Sequence, residues 1–133
     1  MLEHVFRIGR QVGLDYDAER HVEQFKRIFL PDEFAGWLLE FRRGQWVFVR
    51  IRAFADIVDG DGVTRLYDGE VDAVQFARPH LEDNLQGARE ALTFTLDALI
   101  ATLRGNGVQI SSDCLAGVPH AIELDAALQD ALR

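Results

Sequence analysis

Apolar residues repeat on two different periods along this chain, and the switches between them predict an α+β domain. Residues 3–9 read as a short strand, with His4, Phe6 and Ile8 on one face. Residues 17–29 read as a helix N-capped by Asp17, with Val22, Phe25, Ile28 and Phe29 on its apolar side. A second helix, 31–43, is more strongly marked. Pro31 suits its first position, Asp32 and Glu33 complement the positive end of its dipole, and Phe34, Trp37, Leu38 and Phe41 fall on helical spacing. Arg42 and Arg43 lie in its last turn, and Gly44 supplies the left-handed stop.

From Gln45 the period becomes two. Val47, Val49, Ile51, Ala53, Ala55 and Ile57 alternate with Trp46, Phe48, Arg50, Arg52, Phe54 and Asp56, so the two sets point to opposite faces of a strand. Turn residues stand at Asp59-Gly60-Asp61-Gly62 and again at Asp68-Gly69. Pairing Val58 with Val63 and Tyr67 with Glu70 puts Asp56, Arg65 and Asp72 in one row, and sets Phe54 beside Tyr67. The expectation is a small antiparallel sheet, a three-stranded meander over 45–58, 62–67 and 70–77. Residues 3–9 and 107–111 are candidate additions to it.

A long helix is expected over 79–104, with Leu81, Leu85, Ala88, Leu92, Leu96, Leu99 and Leu103 as its core stripe. A second stripe, Ala91, Phe94, Ala98 and Ala101, would serve a homo-oligomer. Residues 119–132 read as a final helix. The chain as a whole, 1–133, is expected to form a single α+β domain.

Composition narrows the functional classes. The lone cysteine, Cys114, has no partner for an internal disulfide, and the first residues lack the apolar run of a secretory leader; the expectation is a cytoplasmic protein. The formal charge of −8 is uneven: residues 1–54 carry +1 and residues 55–133 carry −9. That bias disfavours nucleic acid and favours a basic protein partner. No segment is long and apolar enough to suggest a membrane span.

Candidate chemistry is sparse. Asp56, Asp59, Asp61, Asp68, Glu70 and Asp72 resemble a calcium loop, but Ile57 falls where its first oxygen ligand belongs. Asp113, Cys114 and His120 offer an acid, a nucleophile and a base without a spacing that brings them together. No phosphate loop, nucleophile elbow or zinc-protease motif is present, so no cofactor, metal or catalytic residue is assigned. Leu30–Gly44, LPDEFAGWLLEFRRG, resembles the early helix of a family that includes many bacterial immunity proteins. A capped amphipathic helix gives the same letters, and no functional residue is carried over from the resemblance.

The first functional expectation is therefore an acidic protein-binding module of inhibitor, immunity or chaperone type, acting on a basic partner. Its candidate binding residues are Trp46, Phe48, Arg50, Arg52, Phe54 and Tyr67 on one sheet face, because binding hot spots favour Arg and aromatic residues. His80 and Glu82 at the start of the long helix complete the set. The alternative is a small enzyme or ligand-binding domain with a pocket between the sheet and the long helix.

Overall fold

A computed structural model describes residues 4–78 and 80–132. The element order is β1 (His4–Leu14), α1 (Ala18–Lys26), α2 (Pro31–Arg42), β2 (Trp46–Asp59), β3 (Gly62–Ala77), α3 (Leu81–Gly87), α4 (Arg89–Gly105), α5 (Ser112–Gly117), a 3-10 turn (Val118–His120), β4 (Ile122–Leu124) and α6 (Ala126–Ala131). The strands form one open, mixed four-stranded sheet in the order β3-β2-β1-β4. The α+β class holds.

The alternation read from β2 sorts the core. Val49, Ile51, Ala53 and Ala55 are buried on one face together with Val5, Ile8 and Val12 of β1, under α3, α4, α5 and α6. On α4 the sheet-facing residues Leu92, Thr95, Leu99 and Leu103 are buried, and the Thr95 hydroxyl donates to the Leu92 carbonyl. The seam between the sheet and this helix is thus lined by packed apolar side chains. Trp46 and Phe48 point to the other face, where α1 and α2 cover them with Val22, Phe25, Phe34, Trp37 and Phe41.

Several expected boundaries move. The β2–β3 turn forms at Gly60-Asp61 with Val58 opposite Val63, as expected. Asp68-Gly69 makes no second hairpin. β3 runs on to Ala77, because a turn at Asp68 would leave the Trp46–Arg52 half of β2 without hydrogen-bonding partners along that edge. Glu70 is consequently not the partner of Tyr67, which pairs with Phe54, and Asp72 leaves the Asp56–Arg65 row. Two bulges absorb the mismatch: β3 holds one extra residue between the partners of Ile51 and Ala53, and another between those of Val49 and Ile51. Gly69 (φ +69°) and Ala73 (φ +57°) take left-handed conformations at these places. Gly69 is also pressed against α4, where a Cβ would sit 2.5 Å from the Thr95 carbonyl oxygen.

The helix expected over 79–104 is two helices, α3 and α4, interrupted at Ala88 (φ −91°, ψ 13°). The break keeps Leu81 and Leu85 on the same apolar cluster as Leu92. The expected start, Pro79, lies outside the described residues, as does residue 3 of the first strand. That strand extends to Leu14 and pairs with β2 from Val58 back to Val49. The expected strand at 107–111 amounts to one bridge, His4 to Gln109. In place of the final helix over 119–132, Ile122–Leu124 adds a short parallel strand to the free edge of β1, and Asp125 then caps α6 by accepting from the Leu128 N–H. The helix expected over 17–29 ends at Lys26, with Ile28 exposed; Asp17 makes no side-chain cap. No helix among the described residues is long and apolar enough to cross a membrane.

Candidate binding face of the sheet

Strand alternation commits Trp46, Phe48, Arg50, Arg52, Phe54 and Asp56 to one face, and the helices divide that face in two. Trp46 and Phe48 lie under α1 and α2 and are buried. Phe54 is also fully buried. These three aromatic residues belong to the packing and are withdrawn from the binding set. His80 and Glu82 are exposed at the start of α3, beyond Ala77, which pairs with Trp46. Six residues of strand separate Trp46 from Arg52, about 20 Å, so those two do not join the arginines in one site.

What remains open is a patch built around Arg50, Arg52 and Tyr67. Here β1 supplies residues that composition gave no reason to select. Gln11 is directly opposite Arg52, and Gly9 opposite Phe54. A side chain at Gly9 would collide with the Phe54 ring and with Ala121, so the glycine lets that ring lie flat on β1. Arg65 closes over the ring, its guanidinium 3.9 Å from the centroid, and Arg7 approaches it at 5.3 Å. Arg65 binds both Asp56 oxygens (2.7 and 3.0 Å) and reaches Glu123 at 2.8 Å. Those hydrogen bonds, Asp56 first and Glu123 second, raise the Arg65 pKa above its ordinary value. Arg65 is thus held in place by acids and is committed to structure.

Arg52 is different. Its guanidinium lies 3.8 Å from the Tyr67 ring centroid, and its Nε and Nη2 donate to the Gln11 side-chain oxygen at 2.9 and 2.7 Å. Gln11 is neutral, and Arg52 forms no ion pair among the described residues. One edge of the guanidinium is fixed and the Nη1/Nη2 fork is left for another acceptor. Beside it Arg50 is 3.7 Å from Glu70 and lies over Tyr16, which is exposed. Arg52, Tyr67, Asp68, Gly69 and Glu70 line an open cavity of about 290 Å³.

Comparison of the chain with protein families, with curated proteins and with solved structures gives no match. The chemistry of the site itself therefore carries the functional reading.

Asp15, His21 and Asp72 place one donor atom each within 4.8 Å of one another. His21 is buried, with Nε2 2.8 Å from an Asp15 oxygen and 3.9 Å from Asp72. A metal on Nε2 would displace the proton of that hydrogen bond, leaving the ring proton on Nδ1, which is buried with no acceptor among the described residues. The donor set fits a structural couple better than a metal site. Asp15 also accepts from the backbone N–H groups of Asp17 and Ala73. Burial pushes its pKa up, but those two N–H groups and His21 outweigh burial and leave it below the ordinary value.

Asp113, Cys114 and His120 all line a second cavity of about 290 Å³, together with Arg7. The Cys114 thiol donates to the Val5 and Phe6 carbonyls at 3.2 and 3.4 Å. The thiol is thus turned to backbone carbonyls, and no hydrogen bond joins it to His120 among the described residues, so a nucleophile–base pair is not formed. The hairpin carboxylate of Asp59 is spent on the Asp61 N–H, as in an ordinary turn.

Proposed function

We propose that this protein is a protein-binding module of inhibitor, immunity or chaperone type, and that it docks through the open half of the sheet around Arg52 and Tyr67. One observation carries the reading: Arg52 is oriented by a neutral glutamine, laid on a tyrosine ring and left with its fork unused. Arg and Tyr are the residue types on which interfaces concentrate binding energy, and pre-organisation lowers the entropy lost on docking. The formal charge of −8 steers a basic partner toward the molecule at long range. At the contact itself Arg52 takes a carboxylate or amide oxygen of that partner.

The test is capture from native lysate at low and at high salt, with wild type, Arg52→Ala and Tyr67→Ala compared side by side. The expected result is a basic protein held at low salt by wild type, released at high salt, and not held by either variant. Arg52→Ala gives up the Gln11 hydrogen bonds and the Tyr67 contact at a partly exposed site, so it should cost about 1–2 kcal/mol and still fold, which a urea melt checks. Capture that survives Arg52→Ala refutes this docking face.

A second reading rests on the cavity beside Arg52. Its lining of one arginine with Asp68 and Glu70 suits a small zwitterion, the arginine taking a carboxylate and the acids an ammonium group. Failure to capture any protein at either salt concentration, with binding of free amino acids seen by calorimetry, would favour that reading.

A further inference from the structure

The segment joining α1 to α2 reads Lys26-Arg27-Ile28-Phe29-Leu30-Pro31-Asp32-Glu33. Two bases, four apolar residues and two acids follow one another. Tertiary structure leaves the apolar residues largely outside: Ile28 is 73% and Leu30 66% exposed, and Pro31 is exposed. Phe29 is turned partly inward, against Phe25 and Trp37. α2 contributes no buried residue, and Leu39 on it is 49% exposed. A run of consecutive apolar residues facing solvent is costly to solubility and marks a contact surface.

The charges at the two ends of the run are also unspent. Lys26, Arg27, Asp32 and Glu33 form no ion pair among the described residues, whereas Glu19 and Arg42 nearby are joined in a bidentate pair between α1 and α2. The sign pattern reverses when the segment is read backwards. A two-fold axis through Phe29 and Leu30 would therefore set Lys26 and Arg27 of one copy against Asp32 and Glu33 of the other, twice over, with the apolar residues between them. The net charge of −8 opposes self-association elsewhere, but residues 1–54, which include this segment, carry only +1.

We infer that the α1–α2 connection is a self-complementary docking surface for a second copy of this chain. The stripe on α4 is a weaker rival. Phe94 is its one large exposed residue, and Ala98 is turned toward β3 at Gly69. The inference is independent of the Arg52 face and does not use its residues.

Sedimentation of the full chain tests it. Wild type should reach the mass of two copies as concentration rises, and Leu30→Asp, which places a capping carboxylate at the start of α2, should remain at one copy and still unfold cooperatively in urea. Phe94→Asp should still dimerise. Lys26→Glu with Arg27→Glu in one chain, and Asp32→Lys with Glu33→Lys in another, should each stay at one copy alone and form a two-copy species when mixed. A wild type that stays at one copy overturns the inference and leaves the segment to a different protein. A dimer that survives Leu30→Asp, or is abolished by Phe94→Asp, overturns it too. Reversed-charge variants that do not associate on mixing overturn the two-fold arrangement.

Discussion

Asp15→Ala removes an acceptor shared by three parts of the chain. The Asp15 carboxylate takes hydrogen bonds from His21 Nε2 at 2.8 Å, from the Asp17 N–H at 2.9 Å and from the Ala73 N–H at 3.1 Å. It thereby ties the end of β1 to α1 and to the second bulge of β3. Each stranded donor costs about 1–3 kcal/mol when it is buried. The Asp17 N–H lies near the surface and can turn to water, and the remaining two act on one group and do not add fully. The expected loss is about 2–4 kcal/mol, against roughly 5–15 kcal/mol for a whole domain. At roughly 3–5 °C per kcal/mol for a chain of this size, the melting temperature should fall by roughly 6–20 °C.

The assay is urea unfolding of wild type and variant followed by circular dichroism, repeated from neutral to acid pH. Because the folded pKa of Asp15 is depressed, its contribution is fully present above the unfolded value of about 4 and disappears as pH falls through the lower folded value. The gap between wild type and Asp15→Ala should therefore be widest at neutral pH and narrow in acid. Taking the difference cancels the carboxylates common to both proteins. A loss below about 1 kcal/mol at neutral pH, or a gap that does not change with pH, would refute the reasoning.

Other outcomes follow from the same packing. Gly69→Ala adds a Cβ 2.5 Å from the Thr95 carbonyl oxygen at a residue with φ +69°, and should cost at least about 1–3 kcal/mol in urea unfolding; an unchanged midpoint would show that β3 and α4 are not pressed together there. Arg65→Met strands Asp56, which is 8% exposed, and should cost about 2–3 kcal/mol, while Arg65→Met combined with Asp56→Leu should recover most of that loss; a double variant no more stable than the single one contradicts the account. Cys114 should react with iodoacetamide several-fold more slowly in the native protein than in urea, because its thiol is half-buried and donates to two carbonyls; equal rates would remove that constraint.

Hydrophobic period and local turn and cap residues determined the fold class, the two faces of β2, the tight turn at Gly60-Asp61 and helix α2 from Pro31 to Arg42, since each depends on residues adjacent or a few positions apart. The same local reading failed wherever a distant segment changed the balance. Asp68-Gly69 has the chemistry of a turn, but β2 offered seven further residues to pair with, and α4 required a glycine at its point of closest approach. The final stretch has helical spacing, but the unpaired edge of β1 drew Ile122–Leu124 into the sheet. The candidate site divided in the same way. Alternation placed Arg50, Arg52 and Tyr67 on one face, while the register between β1 and β2 decided that Arg52 meets a neutral Gln11, and the docking of β4 beside β1 added Glu123 to the Asp56 that the β2–β3 register sets opposite Arg65. A side chain's type is written in the sequence. Whether its charge is spent or left free depends on neighbours that are distant in the chain, and only tertiary packing brings those together.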